Sequence, residues 1–388
     1  MRIAVACLAI AACSGDKAAP SPIRFLHTFG PEETELFNQT MSERGIAVES
    51  SLVPFARGQQ VISEILHAGT SCPDLIRIDS TWLALLEDQL LPVPPELSAL
   101  DWLPEAPDLR DKDRAFLAVT AVPQTIDGLV IVRDAAAPAP ASTSINDLVA
   151  AARAAQHDER KFPLGLRVDG YWFVAWLRAN GADLARVRIS RGENDDSPRP
   201  RDIGVPGAVT ALAQFASLFG TVAAPPPPSG SEAPEELRRW TSHDVAYWVT
   251  GPWQLGALRE RDRIEVSALE DAPRGGQLLA VPRCAKHPSD GWHLASELTS
   301  VSVETTFAEA FATVPSRRAA LEAAPPLVGA IYQALRRARP LQRSEITPLL
   351  FDDLNPALAA VIAGDATAEE AIEGVRRGWS RLSHGARR

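Results

Sequence analysis

Residues 74–89, DLIRIDSTWLALLEDQ, predict a buried strand followed directly by a helix, and they complete a pattern that indicates the fold class. The same order precedes it, with a predicted strand at 46–53 and an amphipathic helix at 59–67. Earlier still, a run at 23–29 leads into a helix that Pro31 opens. A β-α-β-α-β-α order of this kind is typical of a parallel sheet covered by helices.

Strand and helix patterns return further along the chain. Residues 118–123 and 128–132 are predicted to be paired strands, and residues 164–168 are predicted to form another. A helix is expected at 171–180, and the chain is mostly helical after Leu327. Because the α/β character recurs, we expect two lobes with several chain crossings between them.

The composition is that of an acidic globular protein. Of its 388 residues 46% are hydrophobic, and the formal net charge is −10. The length predicts two or three domains at roughly 100–200 residues each. An acidic chain without a basic block is poorly suited to nucleic acid or to an anionic membrane surface. Nine tryptophans against three tyrosines are an unusual excess.

The first residues predict export. The sequence MRIAVACLAIAA (1–12) has one charge, Arg2, followed by an apolar run. This run is about half as long as the roughly 20 residues that a membrane span needs. The combination is typical of a secretory signal peptide. IAAC at 10–13 resembles the lipobox of bacterial lipoproteins, in which the cysteine, here Cys13, is lipidated. Residues 13–22 would then be a tether. The alternative is an N-terminal core strand with an incidental cysteine.

Two further cysteines, Cys72 and Cys284, remain after Cys7 leaves with the signal and Cys13 takes the lipid. An exported protein faces an oxidising compartment, where such a pair forms either a disulfide or two separate buried thiols. With no histidine at ligand spacing they are a poor zinc site.

Sequence motifs for catalysis are missing. The chain has no glycine-rich dinucleotide or phosphate loop, no His-Glu-x-x-His and no Gly-x-Ser-x-Gly. We therefore expect no catalytic residue, no metal and no cofactor, and we expect a binding protein and not an enzyme.

A series of short motifs carries a resemblance to a known family. GPW at 251–253 is the most specific, and PDLIRID at 73–79 is similar to a strand that ends at the family's ligand cleft. DGYW at 169–172, VPSRR at 314–318 and a hinge crossing over 121–134 follow the same order. Together they resemble the bacterial extracellular solute-binding proteins of family 1, the maltose- and multiple-sugar-binding lipoproteins of ABC transporters.

The resemblance implies a two-lobe α/β fold of the periplasmic-binding-protein type, the type II or Venus-flytrap class, with interleaved lobes. Lobe 1 would comprise residues 23–118 and 276–322, and lobe 2 residues 119–275 and 323–388. Because Cys72 and Cys284 would both lie in lobe 1, the resemblance favours a disulfide between them.

The implied function is capture of a small solute, foremost a mono- or oligosaccharide, and its delivery to the transmembrane subunits of an ABC permease. The protein would be a monomer, periplasmic or on the cell surface, held to the membrane only by the lipid on Cys13. Alternatives are a non-sugar solute (a polyamine, an iron chelate or a phosphorylated polyol) or a ligand-sensing lipoprotein for a signalling partner. Departures from the family pattern at 131–132 and 243–244 leave the ligand open.

A sugar ring has apolar faces, which aromatic rings cover, and a rim of hydroxyls, which carboxylates and amides bind. The residues that the resemblance places at the cleft are Asp79, Gln124, Asp127, Asp169, Tyr171, Trp172 and Trp253. The alternative is core packing for the aromatic residues, and helix caps or solvated loops for the acids.

Overall fold

The computed structural model describes residues 21–107, 119–187, 203, 205–226, 235–258, 261–342 and 344–385. The predicted signal peptide (1–12), the lipidation site Cys13 and most of the tether lie outside these residues. Within the described ranges, no helix combines the length and the apolarity that a membrane crossing requires.

The strands are β1 Ile23–His27, β2 Val48–Leu52, β3 Leu75–Asp79, β4 Val122–Pro123, β5 Thr125–Gly128, β6 Val130–Asp134, β7 Leu164–Gly165, β8 Tyr247–Thr250, β9 Ile264–Ala268, β10 Pro273–Gly275, β11 Gln277–Ala280, β12 Val314–Pro315 and β13 Arg339–Pro340. The helices are α1 Pro31–Glu43, α2 Phe55–Ala68, α3 Leu83–Leu86, α4 Pro95–Ser98, α5 Ile145–Ala154, α6 Gly170–Ala179, α7 Val205–Leu218, α8 Glu235–Thr241, α9 Pro252–Leu255, α10 Pro288–Leu298, α11 Val301–Phe311, α12 Arg318–Ala323, α13 Pro326–Leu335, α14 Leu350–Ala363 and α15 Ala368–Gly385. Short 3-10 turns lie at Glu87–Gln89, Leu184–Arg186 and Arg261–Arg263.

Three sheets organise the molecule. The first has the order β2-β1-β3-β11-β4, in which β1 runs parallel to β2 and β3 while β11 runs antiparallel to β3 and β4. The second has the order β7-β8-β6-β9, and the third has the order β12-β5-β10-β13. Strands β5 and β10 of the third sheet are the segments through which the chain passes between the other two sheets. The expected α/β class is confirmed, and the opening β-α-β-α-β part is built as a parallel sheet.

The predicted pairing of residues 118–123 with 128–132 is wrong. Strand β4 pairs with β11 in the first sheet, whereas β6 pairs with β8 and β9 in the second. Between them, β5 pairs with β10 and β12 in the third sheet. An apolar run indicates that a strand is buried but does not identify its partner, and here the chain crosses from one lobe to the other.

The core of the first lobe lies on both faces of its sheet. In β3, Leu75 packs with Phe37 on one face, whereas Ile76 and Ile78 pack with Ile62 on the other. All five side chains are fully buried. Successive residues of a strand point to opposite faces, so a continuous apolar run is what a sheet covered on both sides requires.

The second lobe has a core of its own, built mainly from helices. The rings of Trp176 on α6 and Phe215 on α7 meet edge to face at a centroid distance of 5.0 Å. Trp379 donates its indole N–H to the carbonyl of Leu350 at 3.1 Å, which holds α15 against α14. The structure is therefore two-lobed, while the residue boundaries of the two lobes remain a prediction.

A disulfide joins Cys72 and Cys284. Cys72 lies just before β3 and Cys284 just after β11, two strands that pair in antiparallel register with Asp79 opposite Gln277. The bond therefore closes one end of this strand pair, and the side chains of Asp79 and Gln277 occupy the other.

Candidate ligand-binding cleft

Two carboxylates from different sheets meet at one amide. Asp79 ends β3, and Asp127 lies on β5. The side-chain nitrogen of Gln277, Nε2, donates to Asp79 Oδ2 at 3.3 Å and to Asp127 Oδ2 at 3.4 Å. We call these three residues the acidic wall. They bring the first sheet and the crossing strand β5 to one point.

Neighbouring threonines fix the orientation of both carboxylates. Asp79 Oδ1 accepts from the backbone N–H of Thr81 at 2.8 Å and from its hydroxyl at 2.6 Å. Asp127 Oδ2 accepts from the hydroxyl of Thr125 at 3.1 Å. Thr81 lies before α3, which begins at Leu83, but it does not cap this helix, because it bonds back to Asp79. Its hydroxyl therefore serves the wall and not a helix.

Burial makes ionisation of the acidic wall costly. It raises the pKa of Asp79, against the opposing effect of the hydrogen bonds from Thr81. It also raises the pKa of Asp127 to about 6, where the negative charge of Asp79 adds to the shift and the positive charge of Arg77 opposes it. Both side chains are half-buried, so a solute can still reach them.

Arg77 lies beneath this wall but is engaged elsewhere. Its Nε donates to Gln124 Oε1 at 2.6 Å, and its guanidinium also donates to the Thr28 hydroxyl at 2.9 Å. The charge lies 4.4 Å from the centre of the Phe29 ring. Gln124 is itself buried. The structure thus places Gln124, one of the predicted ligand contacts, as the partner of a buried arginine.

The acidic wall contains a group that the sequence analysis missed. Gln277 is buried, and its carbonyl oxygen Oε1 accepts from no donor among the described residues. A single glutamine in an apolar strand has no distinctive spacing. Its register opposite Asp79 emerges only once β3 and β11 are paired.

The second wall is aromatic and is built at the start of α6. Asp169 caps this helix by accepting from the backbone N–H of Tyr171 at 2.8 Å. Tyr171, Trp172 and Trp253 then meet edge to face, with ring centroids 6.0 to 6.3 Å apart. We call these three residues the aromatic wall. The structure assigns Asp169 to the helix cap that positions them.

The aromatic residues are not equally accessible. Trp172 is buried and donates its indole N–H to the carbonyl of Val249 at 2.7 Å. Trp253 leaves 40% of its surface exposed. Gly251 lies two positions before Trp253, and a Cβ atom on Gly251 would collide with the Trp253 ring. The glycine of the GPW turn therefore lets this indole fold back over the backbone while the side chain stays partly exposed.

Tyr171 connects the two walls. Burial raises its pKa well above the usual range, and the nearby carboxylates of Asp79 and Asp127 add to the shift. Its hydroxyl donates to the carbonyl of Pro273 at 3.4 Å. The phenol is therefore neutral at ordinary pH and lies within electrostatic range of the acidic wall.

A further aromatic residue borders the same region. Phe55 is 53% exposed, and its ring lies 5.2 Å from that of the buried Trp82, which follows Asp79 closely in the chain. The carboxyl ends of parallel strands form one edge of a sheet, where α/β proteins bind ligands. Phe55 comes shortly after the end of β2 and is a candidate contact that the sequence analysis missed.

Metal chemistry has no support in the part of the chain that the structure describes. Within it, no group of three or more histidine, cysteine, aspartate or glutamate side chains is placed to hold a metal ion.

Solved structures of the same architecture are numerous. A comparison with protein-family models found no match, and neither did a comparison with curated protein sequences. The GacH receptor of Streptomyces glaucescens, solved unliganded and with acarbose, superposes with a TM-score of 0.77 at 22% identity, covering 94% of this chain and 98% of that one.

Two maltose-type receptors are equally similar. T. maritima MalE3 with bound maltose has a TM-score of 0.77 at 18% identity, covering 92% of this chain and 99% of that one. The Thermus thermophilus maltotriose-binding protein gives 0.76 at 17% identity, covering 93% and 99%. Similarity at this level of identity establishes the fold, and the chain has the two-lobe fold of these sugar-binding proteins of the maltose-binding type.

Proposed function

We propose that this protein is the solute-binding component of an ABC importer and captures a mono- or oligosaccharide between its two walls. The observation that carries the proposal is the 40% exposed indole of Trp253 beside Tyr171, which itself lies within electrostatic range of Asp79 and Asp127. The fold shared with maltose-, maltotriose- and acarbose-bound receptors supports it.

The two walls match the two kinds of surface on a sugar. The exposed indole of Trp253 covers an apolar ring face, and the carboxylates accept hydrogen bonds from the hydroxyl rim. Asp79 and Gln277 of the acidic wall lie on the first sheet, in the first lobe, whereas the aromatic wall lies in the second lobe. A solute between the walls therefore contacts both only when the lobes are close. Binding then shifts the population towards the closed form.

The partners of the protein follow from this role. The closed form is what the transmembrane subunits of a permease would recognise, and a dissociation constant near 1 μM, about −8 kcal/mol, suffices for capture with release. Export by the signal peptide and lipidation at Cys13 would hold the protein near that permease. A binding role without turnover is part of the proposal.

A thermal-shift screen followed by calorimetry tests the proposal. Maltose, maltotriose, tagatose, cycloalternan and acarbose are suitable probes, since a bound ligand raises the melting temperature by mass action. We expect at least one saccharide to bind stoichiometrically and to be recovered unchanged after incubation. Binding of no saccharide from a broad panel would contradict the carbohydrate function, and hydrolysis of a bound oligosaccharide would contradict the purely binding role.

A further inference from the structure

We propose that the solute is a saccharide bearing a protonated amine, such as an amino sugar or an aminocyclitol glycoside, and that its ammonium group binds at Asp79, Asp127 and Gln277. This inference rests on the proposed function and narrows its substrate class. It is carried by the acceptors that converge at the acidic wall and by the absence, among the described residues, of a salt bridge to either carboxylate.

The wall has one donor group, Gln277 Nε2, and its side-chain oxygens are all acceptors. The Oδ2 atoms of Asp79 and Asp127 lie on either side of Gln277 Nε2, to which both are bonded. Gln277 Oε1 belongs to the same amide, is buried, and has no donor among the described residues. A primary ammonium offers three donors and no acceptor. A hydroxyl offers one donor and brings lone pairs that need partners of their own.

The negative charge of the wall is not matched by an ion pair. Neither Asp79 nor Asp127 forms a salt bridge with a residue that the structure describes. Arg77 is close enough to affect both, but its bonded partners are the neutral side chains of Gln124 and Thr28. Two carboxylates taken partly out of water are costly unless a cation compensates them, and a ligand ammonium supplies that cation.

The aromatic wall favours an amino saccharide over a simple polyamine as the ligand. A polyamine has no flat apolar face to cover an indole, whereas a sugar ring does. The exposed indole of Trp253 and the phenol of Tyr171 therefore account for the body of the ligand, and the acidic wall for its charge. An ammonium beside these rings gains cation–π attraction as well.

Calorimetric titration with matched saccharides tests the inference. One series is the trimer of glucosamine, its fully N-acetylated form and cellotriose, which share a β-1,4 backbone and differ in the group at carbon 2. A second series is trehalosamine against trehalose, and spermidine is the control for charge without a sugar. We expect an aminated saccharide to bind at least 10-fold more tightly at pH 7.5 than its neutral partners.

The possible outcomes distinguish this inference from the proposed function. Equal or tighter binding of a neutral partner overturns the inference and leaves the carbohydrate function standing. Binding of spermidine with no saccharide bound overturns both, as does the absence of any binding.

Asp127→Asn supplies the matched variant. It should weaken binding of the aminated saccharide about 10- to 100-fold, since a charge-assisted hydrogen bond is lost. Asp365→Asn, which removes one charge from the exposed end of α14, should leave the affinity unchanged. Equal effects of the two variants would show that the overall charge of the protein, and not the wall, attracts the amine.

The pH dependence of the unmodified protein gives a test without a variant. The charged and titratable groups that face Asp127 are Arg77, Asp79 and Tyr171, and Asp127 takes up a proton below about pH 6. The probe for this test is a 6-amino-6-deoxy saccharide, because its alkylamine stays protonated below pH 7.5, whereas a 2-amino group beside the ring oxygens loses its proton near neutral pH. Affinity for the aminated saccharide should therefore fall as the pH drops from 7.5 to 5, and a constant affinity would overturn the inference.

Discussion

The acidic wall and the aromatic wall are assembled in opposite ways. The acidic wall takes Asp79, Asp127 and Gln277 from strands that lie far apart in the sequence and joins them by long hydrogen bonds of 3.3 and 3.4 Å. The aromatic wall takes two adjacent residues, Tyr171 and Trp172, from the start of α6 and adds Trp253 from the GPW turn. There Trp172 is fixed by a short hydrogen bond of 2.7 Å to a strand carbonyl.

This difference predicts which kinds of change should weaken each wall. The acidic wall depends on strand register and on charge, so it should respond to loss of a cross-link and to pH. The aromatic wall depends on local packing, so it should respond to changes in single rings.

The largest effect should come from removing the disulfide at the opposite end of the strand pair that carries Asp79 and Gln277. The Cys72→Ser, Cys284→Ser double variant should lower the free energy of unfolding by about 2–5 kcal/mol, because the bond spans 212 residues and restricts the unfolded chain. Denaturant unfolding measures the change. Adding reductant to the unmodified protein should give the same loss and should leave the variant unaffected. A loss below about 0.5 kcal/mol would show that β3 and β11 hold their register without the bond.

The strands on which this cross-link acts show how far the sequence specifies the fold. The apolar run that contains Leu75, Ile76 and Ile78 predicts β3 correctly, since burial on both faces leaves a continuous apolar signature. The partner of β4 is not predicted, because pairing with β11 joins residues more than 150 positions apart and no local pattern encodes it. Short strands such as β10 also carry too few residues for any period to be recognised.

The next effect concerns the open face of the aromatic wall. Trp253→Ala should weaken saccharide binding about 70-fold, if stacking on the indole buries roughly 100 Å² of apolar surface at 25 cal/mol per Å². Because Trp253 is already 40% exposed, the melting temperature should change little. Calorimetry with a saccharide identified by the screen measures the affinity.

Trp253→Phe is the matched variant and should retain much of the binding. An unchanged affinity in Trp253→Ala would remove this indole from the ligand contacts. A large fall in melting temperature would instead assign it to the core of the second lobe.

A smaller effect should appear in the pH dependence of stability at the acidic wall. The pKa of Asp127 in the folded protein is about 6, above its usual value, so the folded state holds a proton that the unfolded state has released between about pH 4 and 6. The free energy of unfolding should therefore fall as the pH rises through this window. After allowance for solvent screening, the loss is about 1–2 kcal/mol.

Asp127→Asn should remove that part of the pH dependence. Comparing denaturant curves of the variant and the unmodified protein at pH 4, 5, 6 and 7 isolates the contribution of this carboxyl, since His27 and Glu304 titrate in both proteins. A difference between the two proteins that does not change with pH would show that Asp127 is ionised throughout this window in the folded state.

The walls also show how far a site can be predicted from sequence. Asp79 and Trp253 are identifiable because each stands in a short motif next to the end of a strand. The structure gives Gln124 and Asp169 other partners, a buried arginine and a helix N-terminus, because any polar side chain near a strand end has several groups within reach. Gln277 and Phe55 are missed because neither belongs to a motif, and only the assembled sheet brings them to the cleft.

The smallest effect should come from Tyr171→Phe, which removes the hydroxyl that donates to the Pro273 carbonyl and keeps the ring. The bond to Pro273 is long, at 3.4 Å, so its loss should cost about 0.5 kcal/mol of stability. The phenol is neutral, so its removal leaves the charge of the acidic wall unchanged, and saccharide affinity should fall only about two- to three-fold. Calorimetry and thermal unfolding of the same preparation measure both quantities. A loss of affinity above 10-fold would mean that the hydroxyl itself bonds to the solute, which would make Tyr171 part of the polar recognition and not only of the aromatic surface.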